Sequence, residues 1–252
     1  MSNVYHYRRL TSSRRKIIME TAMEHKATED LQLDRYLEKR SDLINRMAKD
    51  SSGVSVIEWY DKEATLYDDQ FDNASFQYHK VVVKILSDLI QNKDARILDI
   101  AAGTGKLGLL LRERGFTDID GIDGSLSMSN LAKEKNIYKN YFHHMIGRER
   151  IPQIADATYD AASCGGSVAK GHLTFDNIQT MLRTVKPGGY LVFSCAVWNY
   201  QFEDFSRERL DLCLQDLKKL GLCSSSEKIT SMHREKEPAD ILILQRGDAR
   251  LQ

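Results

Sequence analysis

The chain has 252 residues, 42% of them apolar and 8% aromatic, with 36 Lys plus Arg against 36 Asp plus Glu. The length is enough for one large domain or two small ones, and the composition suits a folded core rather than a disordered chain. Zero formal net charge argues against a dedicated nucleic-acid binder, whose phosphate contacts show as a basic excess. No run approaches the ~18 apolar residues that a membrane-spanning helix needs.

The first 26 residues hold Tyr7-Arg8-Arg9-Leu10-Thr11-Ser12-Ser13-Arg14-Arg15-Lys16, and no acid precedes Glu20. A basic, flexible tail over residues 1–26 is expected. The same Arg- and Ser-rich composition fits a transit peptide, so a mitochondrial address is the alternative to a cytoplasmic one. The cysteines at 164, 195, 213 and 223 form no CxxC pair. They read as free, mostly buried thiols in a reducing compartment. His143-His144 lacks further ligands for a metal.

Residues 27–55 read as an N-terminal helical extension, with Leu33, Tyr36, Leu37, Ile44 and Met47 at helical spacing and Thr28 as N-cap. The domain proper is placed at 56–252. It opens on a polar and aromatic stretch, 56–70, containing Trp59-Tyr60-Asp61 and Tyr67-Asp68-Asp69. A helix follows, with Val82, Ile85, Leu86, Leu89 and Ile90 on one face. Arg96–Ile100 is a first strand, and Gly115 ends the helix after it. Asp118–Asp123 is a second strand, and Ser125 caps the next helix. A third strand is expected near His143–Ile146, and a fourth over Tyr159–Ser163. Thr174 precedes a helix through Val185. Lys186-Pro187-Gly188-Gly189 turns into a fifth strand, Tyr190–Ser194. Glu203–Leu220 is helical, and Ile229–Arg234 pairs with Asp240–Arg246. Strands alternating with helices give an α/β fold with a mostly parallel sheet covered on both faces.

The chemistry centres on Leu98-Asp99-Ile100-Ala101-Ala102-Gly103-Thr104-Gly105. A glycine turn between a strand and its helix lets a ligand approach the backbone. Gly103-Thr104-Gly105-Lys106-Leu107-Gly108 is a literal GxGxxG, and Asp123 lies 18 residues after Gly105, as in a dinucleotide fingerprint. A P-loop is excluded, because Ile100 stands at its first glycine and Leu107 at its Ser/Thr. Asp99 separates the remaining readings. A carboxylate there repels a pyrophosphate and suits an ammonium group. Asp123, ending the second strand, can accept two ribose hydroxyls. The two acids favour S-adenosylmethionine over NAD.

Ile97–Gly105 resembles motif I of the class I S-adenosylmethionine-dependent methyltransferases. Gly121-Ile122-Asp123-Gly124-Ser125 resembles their second motif, Tyr159-Asp160-Ala161 the start of their fourth strand, and Lys186-Pro187-Gly188-Gly189 the turn before their fifth. The motifs span about residues 55–200 in the family's order. The string Gly121–Met128, with Gly147 and Ile151-Pro152 downstream, resembles the methyltransferase-like family of the Williams–Beuren syndrome region.

The resemblance implies a Rossmann-like fold with a seven-stranded sheet, six strands parallel and the last antiparallel, and an N-terminal helical extension. It implies S-adenosylmethionine as cofactor and S-adenosylhomocysteine as product. Ala101, Gly103, Thr104 and Gly105 then line the methionine and ribose, and Asp99 reaches the ammonium. Asp123 holds the ribose, and Gly124 and Ser125 flank the adenine, with Met128 against its face. The acid that many such enzymes place after the third strand is absent. Gly147 and Arg148 are expected to serve with backbone groups instead. Tyr60 and Tyr67 lie in the opening 56–70 segment, and Tyr67 is expected near the sulfonium, where an aromatic face gains cation–π attraction. Residues 56–70 are then a lid that orders on cofactor binding.

The acceptor pocket is expected from loops carrying Cys164, Gly165, Gly166, Ser167 and His172, then Trp198, Asn199 and Tyr200. Cys164 reads as a small buried residue beside the cofactor. His172 is a candidate base and Tyr67 a second candidate catalytic residue. A small-molecule acceptor is expected, with a protein acceptor as the alternative. The rival reading is a weak or inactive S-adenosylmethionine-binding scaffold that works through protein partners.

Overall fold

Strand β1 (Ile97–Ile100) is buried at every position, as a strand covered on both faces must be. In a computed structural model, which describes residues 54–73, 76–234 and 237–249, it lies at the centre of a seven-stranded sheet. The other strands are β2 (Ile119–Asp123), β3 (Tyr141–His143), β4 (Tyr159–Cys164), β5 (Val185–Ala196), β6 (Cys223–Arg234) and β7 (Glu237–Arg246). Their order is β3-β2-β1-β4-β5-β7-β6. The pairs among β1 to β5 are parallel. Strand β7 runs antiparallel to both β5 and β6, so six strands share one direction.

Helices α2 (Tyr78–Leu89) and α3 (Lys106–Glu113) cover one face. Their Val82, Leu86, Leu107 and Leu111 pack on Ile97, Ile119, Ala161 and Val192. Helices α5 (Ile178–Arg183) and α6 (Arg207–Lys219) cover the other, with Met181, Leu182, Leu210 and Leu217 in one cluster with Leu98, Ile122, Ala162 and Leu191. Helix α4 (Leu126–Glu134) starts at Ser125, whose side chain accepts from Met128 N. The strand order reverses at β1 and β4, and the crevice beside their carboxyl ends is where such sheets take ligands.

The expected tail and most of the helical extension, through residue 53, lie outside the described residues. The polar-aromatic stretch is a regular helix, α1 (Val54–Asn73). Strand β3 lies two residues earlier than expected, because Tyr141 and Phe142 pair with Gly121 and Ile122. Strand β5 starts at Val185, so Lys186-Pro187-Gly188-Gly189 is a bulge within it. The pairing with β4 shifts register there, and Gly188 takes φ 79°. The helix expected from Glu203 begins with a short 3-10 turn, and α6 proper starts after Ser206, whose side chain accepts from Arg209 N.

Candidate cofactor and acceptor site

The turn after β1 carries three left-handed residues in five: Ala101 (φ 52°), Gly103 (φ 55°) and Gly105 (φ 92°). Glycine takes this conformation freely, whereas at Ala101 it costs on the order of 1 kcal/mol. The turn is tied down on all sides. Tyr141 Oη donates to Gly103 O at 2.7 Å, and Gly103 N donates to Asp123 Oδ2 at 2.8 Å. A Cβ added at Gly103 would meet nothing within 4 Å. The turn therefore presents an open face.

Asp99, expected at the ammonium, is 1% exposed. Its oxygens accept from Tyr138 Oη at 2.7 Å and Ser163 Oγ at 3.1 Å. Burial pushes its carboxyl up to about 7, with Asp123 adding to the rise, against the opposing hydrogen bonds. Tyr138 also explains the literal GxGxxG. A Cβ on Gly108 would fall 2.4 Å from the Tyr138 hydroxyl, and one on Gly121 3.2 Å from its ring. The third glycine seats a tyrosine and faces no phosphate.

Asp123 stands at the end of β2, where the ribose role was expected. Besides Gly103 N, it accepts from Ser125 N at 2.8 Å. Each oxygen spends one acceptor site on an amide and keeps others. Burial raises its carboxyl above the ordinary value, against the lowering pull of Ser125, Gly103 and His143. Met128 is buried one turn into α4. His143 Nε2 meets Gly124 O at 2.9 Å.

Helix α1 lies across this site. Its inner face repeats every seven residues: Tyr60-Asp61, then Tyr67-Asp68. Ile57 seats over Gly124, where a Cβ would fall 2.9 Å from its methyl. Asp61 accepts from Ser125 Oγ at 2.5 Å and Ser127 N at 3.0 Å. It thereby satisfies a free amide at the N-terminus of α4. Asp68 accepts from Thr104 Oγ1 at 2.5 Å and pairs with Lys135 at 2.5 Å and Lys106 at 3.8 Å. Lys135 also donates to Thr104 O at 2.8 Å. Burial alone would push both carboxyls up; hydrogen bonds from Ser125 and Ser127, and from Lys135 and Thr104, outweigh it and hold them below the ordinary value. Tyr60 stands between Tyr67, with ring centroids 6.0 Å apart, and His172, at 5.5 Å.

The remaining expected residues spread more widely. Cys164 is fully buried at the end of β4, where burial holds its thiol far above the ordinary range. A Cβ on Gly147 would touch only Glu149 N at 4.0 Å. Arg148 turns its side chain to Asp176 at 2.5 Å and gives its carbonyl to Thr180. Of the acceptor loops, Asn199 is buried and joins the two, accepting from Lys170 N and donating to Ala196 O. Tyr200 donates to Asp240 at 2.8 Å. Asp61, Asp68, Lys135, Tyr138 and Tyr141 were not among the expected site residues. For the first two, a signal existed in the seven-residue Tyr-Asp repeat.

The family described as "Methyltransferase domain" matches residues 74–232. The chain belongs to the methyltransferase-domain family. It is 28% identical over 170 residues to human methyltransferase-like protein 27, covering 66% of this chain and 67% of that one, which bears out the Williams–Beuren-region resemblance. It is 30% identical over 142 residues to demethylmenaquinone methyltransferase of Leptospira interrogans, covering 53% and 57%. Among solved structures, the [4+2]-cyclase SpnF shares the fold with a TM-score of 0.58 at 16% identity, over 77% of this chain and 97% of that one. The fold is the Rossmann-like class I methyltransferase fold, and the cofactor of the family is S-adenosylmethionine. The residues present fit that group. The turn offers an open face at Gly103, an acid with spare acceptor sites follows at Asp123, and the two lysines that reach the turn, Lys106 and Lys135, are paired with Asp68.

Proposed function

We propose that the protein transfers a methyl group from S-adenosylmethionine to a small-molecule acceptor. The observation that carries this reading is the glycine turn held between Asp123 and an acid-bearing helix. Asp61, Asp68 and Asp123 are bonded to residues of the turn and of the N-terminus of α4, and an acid-rich turn suits a cation without phosphates. Asp123 would hold the ribose hydroxyls, Gly124 and Ser125 the adenine edge with Met128 beneath, and Gly147 the far side of the base. When bound, the cofactor supplies an electrophilic methyl group. The chain's own task is to align the acceptor and exclude water. Tyr67 on α1 would cover the sulfonium, and the loops with His172 and Asn199 would shape the acceptor pocket.

The fold alone does not carry this conclusion, since SpnF, with the same fold, is a cyclase. A cytoplasmic, reducing setting suits the four free cysteines. Calorimetric titration tests the cofactor: S-adenosylhomocysteine should bind and NAD should not. Tighter binding of NAD would sink the reading. Labelled methyl uptake into a metabolite extract tests the transfer, and labelled protein in place of small molecules would move the acceptor class.

A further inference from the structure

Tyr60 and His172 come from positions 112 residues apart, and Tyr60 Oη meets His172 Nε2 at 2.8 Å. The other ring nitrogen, Nδ1, faces Lys170 O at 3.2 Å. A carbonyl only accepts, so Nδ1 carries the hydrogen and Nε2 the lone pair. The Tyr60 hydroxyl is then the donor. The loop beneath is firm: His172 N donates to Ala169 O at 2.9 Å, and Lys170 N to Asn199 Oδ1 at 2.9 Å. Lys170, the nearest cation of the loop, is paired with Asp204 at 2.8 Å. Tyr60 lies on the inner face of α1, directly before the clasp Asp61, with Tyr67 beside it. A base held by its outer nitrogen, with its inner lone pair on a hydroxyl, is the arrangement of a proton acceptor.

We infer that Tyr60 and His172 form a proton-accepting pair for a phenolic or enolic acceptor, an inference that rests on the methyl-transfer reading. The acceptor's O–H bond breaks to Tyr60 Oη while the Tyr60 O–H breaks to His172 Nε2. The electron pair stays on the acceptor oxygen, the tyrosine is regenerated, and His172 ends as an imidazolium facing Lys170 O. Its proton passes to water when α1 opens. An imidazole, with an ordinary pKa of about 6.5, is matched to phenols and enols near or below about 10, the value for tyrosine itself. Carboxylates need no such base. Tyr60 packs edge-on against both Tyr67 and His172, an aromatic setting that a planar ring can extend.

Two measurements on the full chain saturated with S-adenosylhomocysteine decide the matter. Long-range nitrogen–proton NMR should show neutral His172 with its hydrogen on Nδ1, and Tyr60→Phe should shift the Nε2 resonance. A hydrogen on Nε2, or no shift, overturns the pair. The probe 4-nitrophenol, added at about pH 6, should bind as its coloured phenolate. His172→Gln should lower the bound phenolate at least about threefold, with Tyr60→Phe lying between. Equal phenolate in wild type and His172→Gln, including none in either, overturns the proposal. Calorimetry with S-adenosylhomocysteine on the wild type keeps the two readings apart: no cofactor binding breaks the methyl-transfer reading, whereas normal binding without the phenolate signal breaks only this one.

Discussion

Two pairs of carboxyl groups lie near the turn, one on the sheet and one on α1, and they are held in opposite ways. Asp99 and Asp123 belong to the sheet and are held by neutral hydroxyls and backbone amides, and burial raises both. Asp61 and Asp68 belong to α1 and are held by a helix terminus and a lysine, and both lie below the ordinary value. The sheet pair is preformed, since its donors are part of the core. Among the described residues, the helix pair bonds only to residues outside its own helix, as a closing lid would require. On the proposed reading, preorganisation and access would be divided between two kinds of acid.

The largest expected effect breaks the sheet pair. Asp99 rises to about 7, so between about pH 4 and 7 the folded chain holds a proton that the unfolded chain has released. Stability therefore falls as pH rises through that window, and Asp99→Asn removes the fall. Urea melts across it should show the variant gaining on wild type by on the order of a few kcal/mol. A constant difference would mean that Asp99 is ionised in the folded protein.

Asp123→Ala comes next. Losing two ribose hydrogen bonds at ~1.5–3 kcal/mol each lowers S-adenosylhomocysteine affinity at least about tenfold. Because Asp123 also holds Gly103 N and Ser125 N, the ligand-free melting temperature should drop by a few degrees as well. Unchanged affinity would remove the ribose assignment.

Tyr67→Ala tests the helix side. It should cost S-adenosylmethionine about 1–2 kcal/mol of binding, and less for S-adenosylhomocysteine, which lacks the positive charge. Tyr67→Phe keeps the ring and should retain most affinity. Equal losses for the two ligands would leave Tyr67 a packing residue.

The smallest effect is at the clasps. Asp68→Asn should lower hydrogen-exchange protection of residues 56–70 in ligand-free protein by about 1 kcal/mol or less, given the partial exposure of the pair. S-adenosylhomocysteine should restore it. The clasps' contribution is present above about pH 4 and is lost as pH falls through the lowered native values. Protection indifferent to ligand would end the reading of α1 as a lid.

The strand-turn-helix of β1 and the Ser125 cap were legible because each is written in adjacent residues, whereas the strand directions came from the family resemblance and the strand order from neither. Thr174 was legible as a helix start for the same reason, and forms a capping box with Asn177. The limits of β5 were not, since a Pro-Gly-Gly run reads as a turn while the register shift that absorbs it depends on β4. Tyr138 carried no signal, because its sockets at Gly108 and Gly121 lie far off in sequence. The helix clasps bridge 66 residues from Asp61 to Ser127 and 36 from Asp68 to Thr104. No local pattern encodes such partners.

Ser125 has a consequence of its own. Its amide is held by Asp123 and its hydroxyl by Asp61, so one residue reports to both the ribose strand and the covering helix. Two equilibria that share a residue are linked, and linkage is reciprocal. Whatever factor a nucleoside adds to closure of α1, closure adds to nucleoside affinity. Substitutions on the outer side of α1 that only change its tendency to stay helical should therefore tune affinity without touching ligand. If α1 closes over the cofactor as proposed, the stability of a surface helix would act as a setting for how tightly the sheet holds its guest.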